Sequence, residues 1–219
     1  MKTYARRWFA TRPVFACVMV AGAAALALAL GAPTAAQTSA ATKTFANERH
    51  RYAVALPIGC RLEEGPGTID AVCAPDFDPE HSAQANSATA LVMEVGAEIV
   101  TDDAGRSGSD LAQRYDEAAF RQEVPQTICG ESDASRARIN NVKQALDETR
   151  VTYTADVICA EVRFLQIAER RASVRYVIGP DARYRVVARA PIEEFEKHKQ
   201  AIEAFFESFR VLPAGKQNQ

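Results

Sequence analysis

The cysteines are the residues of this chain whose type and spacing most directly imply chemistry. Beyond residue 36 there are four of them, Cys60, Cys73, Cys129 and Cys159. An even number is typical of disulfides in an exported protein, and the Cys-x-x-Cys spacing of a redox pair or zinc site is absent. Cys60 and Cys73 flank the turn-forming segment 65–67, so a hairpin would bring them together. We therefore predict disulfides between Cys60 and Cys73 and between Cys129 and Cys159.

An acidic segment provides the best candidates for metal ligation. Asp76 and Asp78 offer carboxylates at alternate positions, and His81 follows closely. Oxygen ligands of this kind suit Ca²⁺, and a histidine nitrogen suits a transition metal. The spacing matches no complete calcium-binding loop, so the prediction is a solvated acidic loop with no metal site and no cofactor. Convergence of all three side chains in one cleft would instead favour a metal-assisted hydrolase.

Five arginines, which we call the hairpin arginines, alternate with apolar residues on either side of the turn Gly179-Pro180-Asp181. They are Arg171, Arg175, Arg183, Arg185 and Arg189. Because side chains alternate along a strand, a register with Ile178 opposite Tyr184 would place all five on one face and the apolar residues on the other. Such a face would bind carboxylate or phosphate groups of a partner. The alternative is a solvent face whose arginines pair with the chain's own carboxylates.

Motifs of well-known enzyme classes are missing from the sequence. It contains no Gly-x-Ser-x-Gly, no phosphate-binding loop with its lysine and no His-Glu-x-x-His. His198 lies between Phe195 and Ile202 near an apolar helical stripe, where a packed histidine is expected. We predict no catalytic residues and a protein that is not an enzyme.

The N-terminus has the features of an export signal. A basic start is followed by an apolar run over residues 14–30 and by small residues near Ala36. This order is typical of a secretory signal peptide, for which we predict cleavage after Ala36, with Ala40 as second choice. Retention as an anchor and export by the twin-arginine route remain open. The prediction is a periplasmic or secreted protein with no stable membrane anchor after cleavage.

Charge and composition restrict the partners. Apolar residues make up 47% of the chain and charged residues 25%, which excludes a disordered protein. The predicted signal holds four of the 26 basic residues and none of the 28 acidic ones, so the remaining chain carries a formal charge of −6. An acidic protein is a poor general ligand for nucleic acid. Tyr176 and Tyr184 are expected on the face opposite the hairpin arginines. They would therefore not lie among the arginines, where stacking of nucleic-acid bases would need them.

Periodicity predicts a mixed fold that is rich in antiparallel strands. Alternating apolar residues predict strands after Arg51, over 90–100, over 138–146 and 151–158, and in the arginine hairpin. A helix capped by Asp110 should end at Pro125. A last helix should follow Pro191 and pack through its phenylalanines. The acidic segment is predicted to be a loop.

Two of these segments resemble a known family. The early strand Tyr52-Ala53-Val54-Ala55-Leu56-Pro57, together with a late strand leading through Pro191 into a helix ending Phe205-Phe206-Glu207-Ser208-Phe209, is similar to the PsbP/DcrB-like superfamily. The resemblance implies a central antiparallel β-sheet flanked by helices, an α+β fold of the αβα sandwich type. It also implies an accessory protein without enzymatic activity or shared active-site residues.

The predicted organisation is a signal peptide at 1–36, a linker at 37–43, one PsbP-like domain at 44–213 and a tail at 214–219. The predicted function is an exported, non-enzymatic accessory or binding protein for an unidentified protein or anionic ligand. A carrier or sensor of an apolar ligand or lipid, held between sheet and helix, is the first alternative. A large apolar pocket would favour it.

Overall fold

The computed structural model describes residues 41–163 and 166–213. The predicted signal peptide and tail, and residues 37–40 of the predicted linker, lie outside the described residues. The first strand begins at Thr42, inside the segment predicted as a linker. None of the helices in the described part of the chain has the length and apolar character needed to cross a membrane.

Strands account for more of the described chain than helices do. Their bounds are β1 Thr42–Asn47, β2 Tyr52–Pro57, β3 Arg61–Gly65, β4 Thr68–Cys73, β5 Leu91–Ile99, β6 Arg138–Leu146, β7 Val151–Arg163, β8 Gln166–Ile178, β9 Ala182–Pro191 and β10 Arg210–Val211. The helices are α1 Pro79–Gln84, α2 Gly108–Arg114, α3 Glu117–Cys129, α4 Ile192–Lys197 and α5 Lys199–Ser208. A short 3-10 turn spans Ala134–Arg136.

The main sheet has seven antiparallel strands in the order β3-β4-β5-β9-β8-β7-β6. A smaller antiparallel sheet has the order β1-β2-β10. The fold is thus α+β with a central antiparallel sheet in a single domain, as the sequence predicts. The second sheet was not predicted, since β1 and β10 are short and mostly exposed.

Each face of the main sheet is covered over a different half. On one face, β4, β5 and β9 contribute buried side chains such as Met93 and Val186, which pack with β2, α4 and α5 around Phe205. On the other face, β7 and β8 pack against α2 and α3, where Phe120 stacks on Tyr153 with ring centres 5.0 Å apart. Burial of apolar area drives both packings. The diagonal arrangement leaves much of the β6–β8 half of the first face uncovered, with β8 in contact with the helices at the border.

Three helix predictions need correction. The acidic segment is not all loop, because Asp78 caps the short helix α1 through the backbone N–H groups of Glu80 and His81. Ser107, not Asp110, caps α2; Asp110 is the third helical residue and completes a capping box. Pro125 lies inside α3, which continues to Cys129.

These differences follow from packing. Val124 and Ile128 are buried on either side of Pro125, so core contacts offset the hydrogen bond that the proline cannot make. The last helix is also divided, since α4 ends before His198 and α5 begins after it. Both halves keep their apolar side chains in the core, as the phenylalanine pattern predicts.

Candidate functional site

The prediction that the hairpin arginines share one face is wrong. Arg175 lies opposite Val186 and Tyr176 lies opposite Arg185. The two strands are therefore shifted by one residue from the expected register. Arg171 and Arg175 point to one face of the sheet, and the three arginines of β9, Arg183, Arg185 and Arg189, point to the other.

The turn and the burial pattern explain this register. The N–H of Gly179 donates to the carbonyl of Ala182, which closes a two-residue turn at Pro180 and Asp181. Turn geometry fixes the register of a hairpin. Both faces of the hairpin carry side chains that are buried in a core. The register therefore does not have to place all apolar residues of the hairpin on one face. The same shift places Tyr176 and Tyr184 on opposite faces of the sheet, so the argument that both tyrosines lie away from the arginines no longer holds. Only the net negative charge of the chain still argues against nucleic-acid binding.

Four of the hairpin arginines pair with the chain's own carboxylates. Arg171 contacts Asp156 and Glu196, Arg183 contacts Asp103, and Arg185 and Arg189 both contact Glu94. These contacts neutralise most of the positive charge of the hairpin arginines. The predicted binding of an anionic partner by all five arginines required that charge to be unpaired. Arg175 differs, since it forms no ion pair with any carboxylate of the described residues.

Arg175 lies in a groove with a cavity of about 630 Å³. Its floor is the uncovered half-face of β6, β7 and β8, and its wall is the side of α4 and α5 that carries Ile202 and Phe206. Seven charged side chains line it, namely Lys143, Asp156, Arg171, Arg175, Lys199, Glu203 and Glu207. The groove therefore mixes charged and apolar side chains and is not the large, mainly apolar pocket that would favour a carrier of apolar ligands.

Asp156 organises one row of the floor. Its carboxylate accepts hydrogen bonds from Ser173 Oγ at 2.7 Å and Asn141 Nδ2 at 2.9 Å, and it lies 3.4 Å from an Arg171 nitrogen. Burial acts to raise the pKa of Asp156, but these hydrogen bonds and the arginine charge outweigh it and hold the pKa below its ordinary value. Asp156 is therefore an ionised, fixed acceptor at the groove floor.

A β-bulge sets the next row. β6 gains one residue between Asn140, opposite Asp156, and Lys143, opposite Thr154. Asn141 adopts a left-handed φ of 55° there, which asparagine tolerates better than most residues. Without the extra residue Val142 would face the groove. With it, Val142 packs against the α3 side of the sheet and Lys143 points into the groove.

Lys143, Thr154 and Arg175 form one row across three neighbouring strands. Thr154 pairs with Lys143 on one side and with Arg175 on the other. Lys143 makes no ion pair and no side-chain hydrogen bond within the described residues. Arg175 donates to the carbonyl of Phe206 and forms no ion pair with the described residues; burial lowers its pKa, and the charge of Glu207 acts in the other direction. A cation that is partly removed from water without a carboxylate partner is favoured by an added anion.

A second charged cluster, which was not predicted from the sequence, lies on the opposite face. Asp103 is fully buried, accepts hydrogen bonds from Tyr115 and Arg183, and lies 3.3 Å from nitrogens of both Arg106 and Arg114. Burial acts to raise the pKa of Asp103, but Tyr115 and the arginines outweigh it and hold the pKa low. This cluster anchors the loop before α2 to β9, so we assign it a structural role.

The acidic segment brings together two of its three candidate ligands. Asp76 Oδ2 lies 2.7 Å from His81 Nδ1, which lowers the pKa of Asp76 and raises that of His81. Both line a cavity of about 460 Å³ together with Glu194. Asp78 is engaged at the start of α1 and does not join them. Among the described residues no three metal-binding side chains converge.

His198 is packed beside the apolar stripe, in line with the sequence analysis. It is 8% exposed and meets the ring of Phe77 edge-on, with ring centres 4.9 Å apart. Burial and the charge of Lys197 lower the pKa of His198, while Glu194, at 3.4 Å, acts in the other direction.

The structure has the two disulfides expected from the sequence. Cys60 is bonded to Cys73, and Cys129 is bonded to Cys159. The first bond closes the β3–β4 hairpin, in which Gly67 takes a positive φ of 79° at the turn. The second joins the end of α3 to β7. None of the four cysteines lines the groove.

Sequence reasoning missed the residues that define the groove beside the arginines, namely Asn141, Lys143, Thr154 and Asp156. A polar, weakly alternating strand such as β6 gives no sign of a bulge. The one available signal was Asn140-Asn141, a pair of residues that tolerate left-handed backbone. The partners of Asp156 come from β6 and β8, whose register only the folded sheet decides.

No protein-family model matches this chain, and no curated protein matches it. Similar solved structures include cyanobacterial PsbP from Synechocystis sp. PCC 6803, at 14% identity and a TM-score of 0.46, covering 83% of this chain and 98% of that one. A protein from Bacteroides thetaiotaomicron is 12% identical with a TM-score of 0.43, covering 80% of this chain and 50% of that one. A protein of unknown function from Pseudomonas aeruginosa is 7% identical with a TM-score of 0.42, covering 78% and 98%. The likeness concerns the arrangement of the fold and gives this chain neither a family nor a function.

Proposed function

We propose that this chain is an exported, non-enzymatic binding protein whose binding site is the groove between α4–α5 and the polar half-face of β6–β8. The observation that carries the proposal is the groove itself. Its volume of about 630 Å³ lies within the range of about 300–1,000 Å³ found for small-molecule sites. Its floor is made of hydrogen-bonded strands, which hold polar side chains in fixed positions.

Export is the second part of the proposal. Two disulfides are typical of proteins that fold in an oxidising compartment, and they agree with the signal peptide that the sequence predicts. The N-terminal sequence of the protein purified from the periplasm tests this part. A mature chain beginning at Gln37 or at Ala41 supports it, whereas a full-length chain retained in the cytoplasm contradicts it.

The binding role is tested by titrating the isotope-labelled mature protein in NMR with hexanoate, hexanamide and hexylamine. These probes share one apolar body and differ in charge. We expect saturable shifts of groove residues such as Thr154 and Ser173 with at least one probe. The substitution Thr154→Trp fills the groove and should abolish them, whereas Thr44→Trp, at an exposed position of β1, should not. Shifts that survive Thr154→Trp, or none with any probe, would contradict the proposal.

A further inference from the structure

We infer that the Lys143–Thr154–Arg175 row binds the oxyanion group, a carboxylate or a phosphate, of a small ligand in the groove. The inference rests on the proposed function and specifies its chemistry. It replaces the general arginine face with one position on the groove floor. This is the row whose two cations form no ion pair with a carboxylate among the described residues, although the charge of Glu207 acts on Arg175 from a distance.

The arrangement of the row fits an oxyanion. Neighbouring strands are about 4.8 Å apart, so Lys143 and Arg175, on either side of Thr154, are close enough for their long side chains to reach one group above it. A lysine supplies a mobile point charge, an arginine a planar fork of donors, and a threonine a hydroxyl that donates. Together they offer charge-assisted hydrogen bonds from three directions.

Arg175 is held in place for this role before any ligand arrives. Its Nη1 donates to the carbonyl of Phe206, and its Cζ lies 5.3 Å from the centre of the Phe206 ring. Arg175 also lines the cavity, and this one hydrogen bond uses only one of its five N–H donors. A fixed donor loses less conformational freedom on binding than a mobile one.

The bulge at Asn141 is the feature that completes the row. It exchanges Val142 for Lys143 on the groove face, opposite Thr154. Bulges occur often beside binding sites, where they redirect a side chain. The adjacent row is different in charge, because Asp156 is there and already accepts from Asn141, Ser173 and Arg171. The negative charge of Asp156 therefore directs an anion to the Lys143 row and away from its own.

The apolar part of the ligand would lie against the helix wall. Ile202 and Phe206 line the groove on that side, next to the carbonyl that Arg175 contacts. A ligand with an anionic head over Thr154 and a short apolar body along α5 would satisfy both surfaces. Hexanoate and hexyl phosphate have this form and differ only in the oxyanion.

The test compares hexanoate, hexyl phosphate, inorganic phosphate and hexanamide by NMR titration of the mature protein. We expect at least one of the two anions with an apolar body to bind at the groove, and hexanamide to bind at least tenfold more weakly. Affinity for the anion should fall as salt is raised, because charge pairs are screened. Binding of inorganic phosphate alone would assign the site to free phosphate, while preference between the other two separates carboxylate from phosphate ligands.

Lys143→Gln should weaken binding of the anion about tenfold, as expected for loss of one charge-assisted contact. Lys43→Gln removes the same charge from an exposed position on β1 and should change nothing. Arg175→Lys keeps the charge but not the fork, and should weaken hexyl phosphate more than it weakens hexylamine or hexanamide. Circular dichroism of each variant confirms that it is folded.

Two outcomes would overturn the inference and leave the proposed function standing. One is groove binding of hexanamide or hexylamine that equals or exceeds that of the anions. The other is anion binding that is indifferent to Lys143→Gln although Thr154→Trp abolishes it, which places the anion elsewhere in the groove. Failure of all probes in the groove contradicts the proposed function as well.

Discussion

Arg175 joins the main sheet to the last helix, because its Nη1 donates a hydrogen bond of 2.6 Å to the main-chain oxygen of Phe206. The final carbonyl groups of a helix have no partner within it. Phe206 lies in the last turn of α5, so the arginine satisfies one of these carbonyls with a charged donor. The floor and the wall of the groove are thereby fixed to each other through one side chain.

Arg175→Gln should lower the free energy of unfolding by about 1–3 kcal/mol, the range for a hydrogen bond from a charged donor with a cation–π contact. The measurement is urea denaturation followed by circular dichroism. Arg189→Gln is the matched control on the neighbouring strand. Its ion pair with Glu94, at 3.9 Å and partly exposed, should contribute no more than about 1 kcal/mol. Equal losses for the two variants would contradict a special role of Arg175.

Asp103→Asn should destabilise the protein by about 2–3 kcal/mol, because it leaves the arginines around a buried site without their carboxylate. The control is Asp102→Asn, at the exposed neighbouring residue, which should change stability by less than about 0.5 kcal/mol. The pKa of Asp103 is lowered by folding. Its stabilisation is therefore full above the unfolded pKa and is lost as the pH falls through the folded pKa. If Asp103→Asn destabilises the protein by the same amount at acid pH, the destabilisation has a cause other than the charge of Asp103.

Asp70→Asn should stabilise the protein at neutral pH, on the order of 0.5–1 kcal/mol. Burial and the charge of Glu94, directly opposite across the strand pair, raise the pKa of Asp70. Folding thus favours the protonated carboxyl, so its contribution is full below the unfolded pKa and is lost as the pH rises through the folded pKa. Denaturation midpoints from pH 4 to 8 should decline less in the variant than in the parent. A decline of the same size in the parent and in Asp70→Asn would show that Asp70 does not cause this pH dependence.

Phe205→Ala should cost about 3–5 kcal/mol, the range for removing a large aromatic side chain from a core. Phe205 is 1% exposed and packs in the cluster that joins α5 to the main sheet. Leu146→Ala, at a residue that is 56% exposed, serves as control and should have little effect. Thermal denaturation of both variants measures the difference, and an unchanged midpoint for Phe205→Ala would show that α5 is not docked through this ring.

Replacing Cys129 and Cys159 together by serine should lower stability by about 3–4 kcal/mol, because the bond closes a loop of 30 residues in the unfolded chain. Non-reducing peptide mapping of the parent should give linked Cys129–Cys159 and Cys60–Cys73 peptides. A Cys60–Cys129 peptide, or four free thiols, would contradict both the pairing and the fold around α3.

Much of the fold could be predicted from residues that act locally. Strands were predicted correctly at β2, β5, β6, β7, β8 and β9. The phenylalanine stripe after Pro191 indicated the docked final helices, although not the break at His198. Short segments were harder. β1 and β10 carry little pattern, and α1 depends on one capping aspartate in a polar stretch.

The candidate site was less predictable, since its key features depend on register. One residue of shift between β8 and β9 divides the hairpin arginines between two faces. One extra residue in β6 exchanges Val142 for Lys143 at the groove. In both cases the local sequence is compatible with either arrangement. The choice is made by the two-residue turn at Pro180 and by packing on both faces of the sheet.

The sequence by itself determined the mixed, antiparallel-rich fold and the even set of cysteines, because alternation and cysteine content are properties of the chain read in order. Only the tertiary structure decided which arginines keep a free charge. Asp156, Asp103 and Glu94 lie 15, 80 and 91 positions away from Arg171, Arg183 and Arg185, which they contact in that order. Strand order and register bring these charges within reach, and they leave Arg175 and Lys143 together at the uncovered half-face.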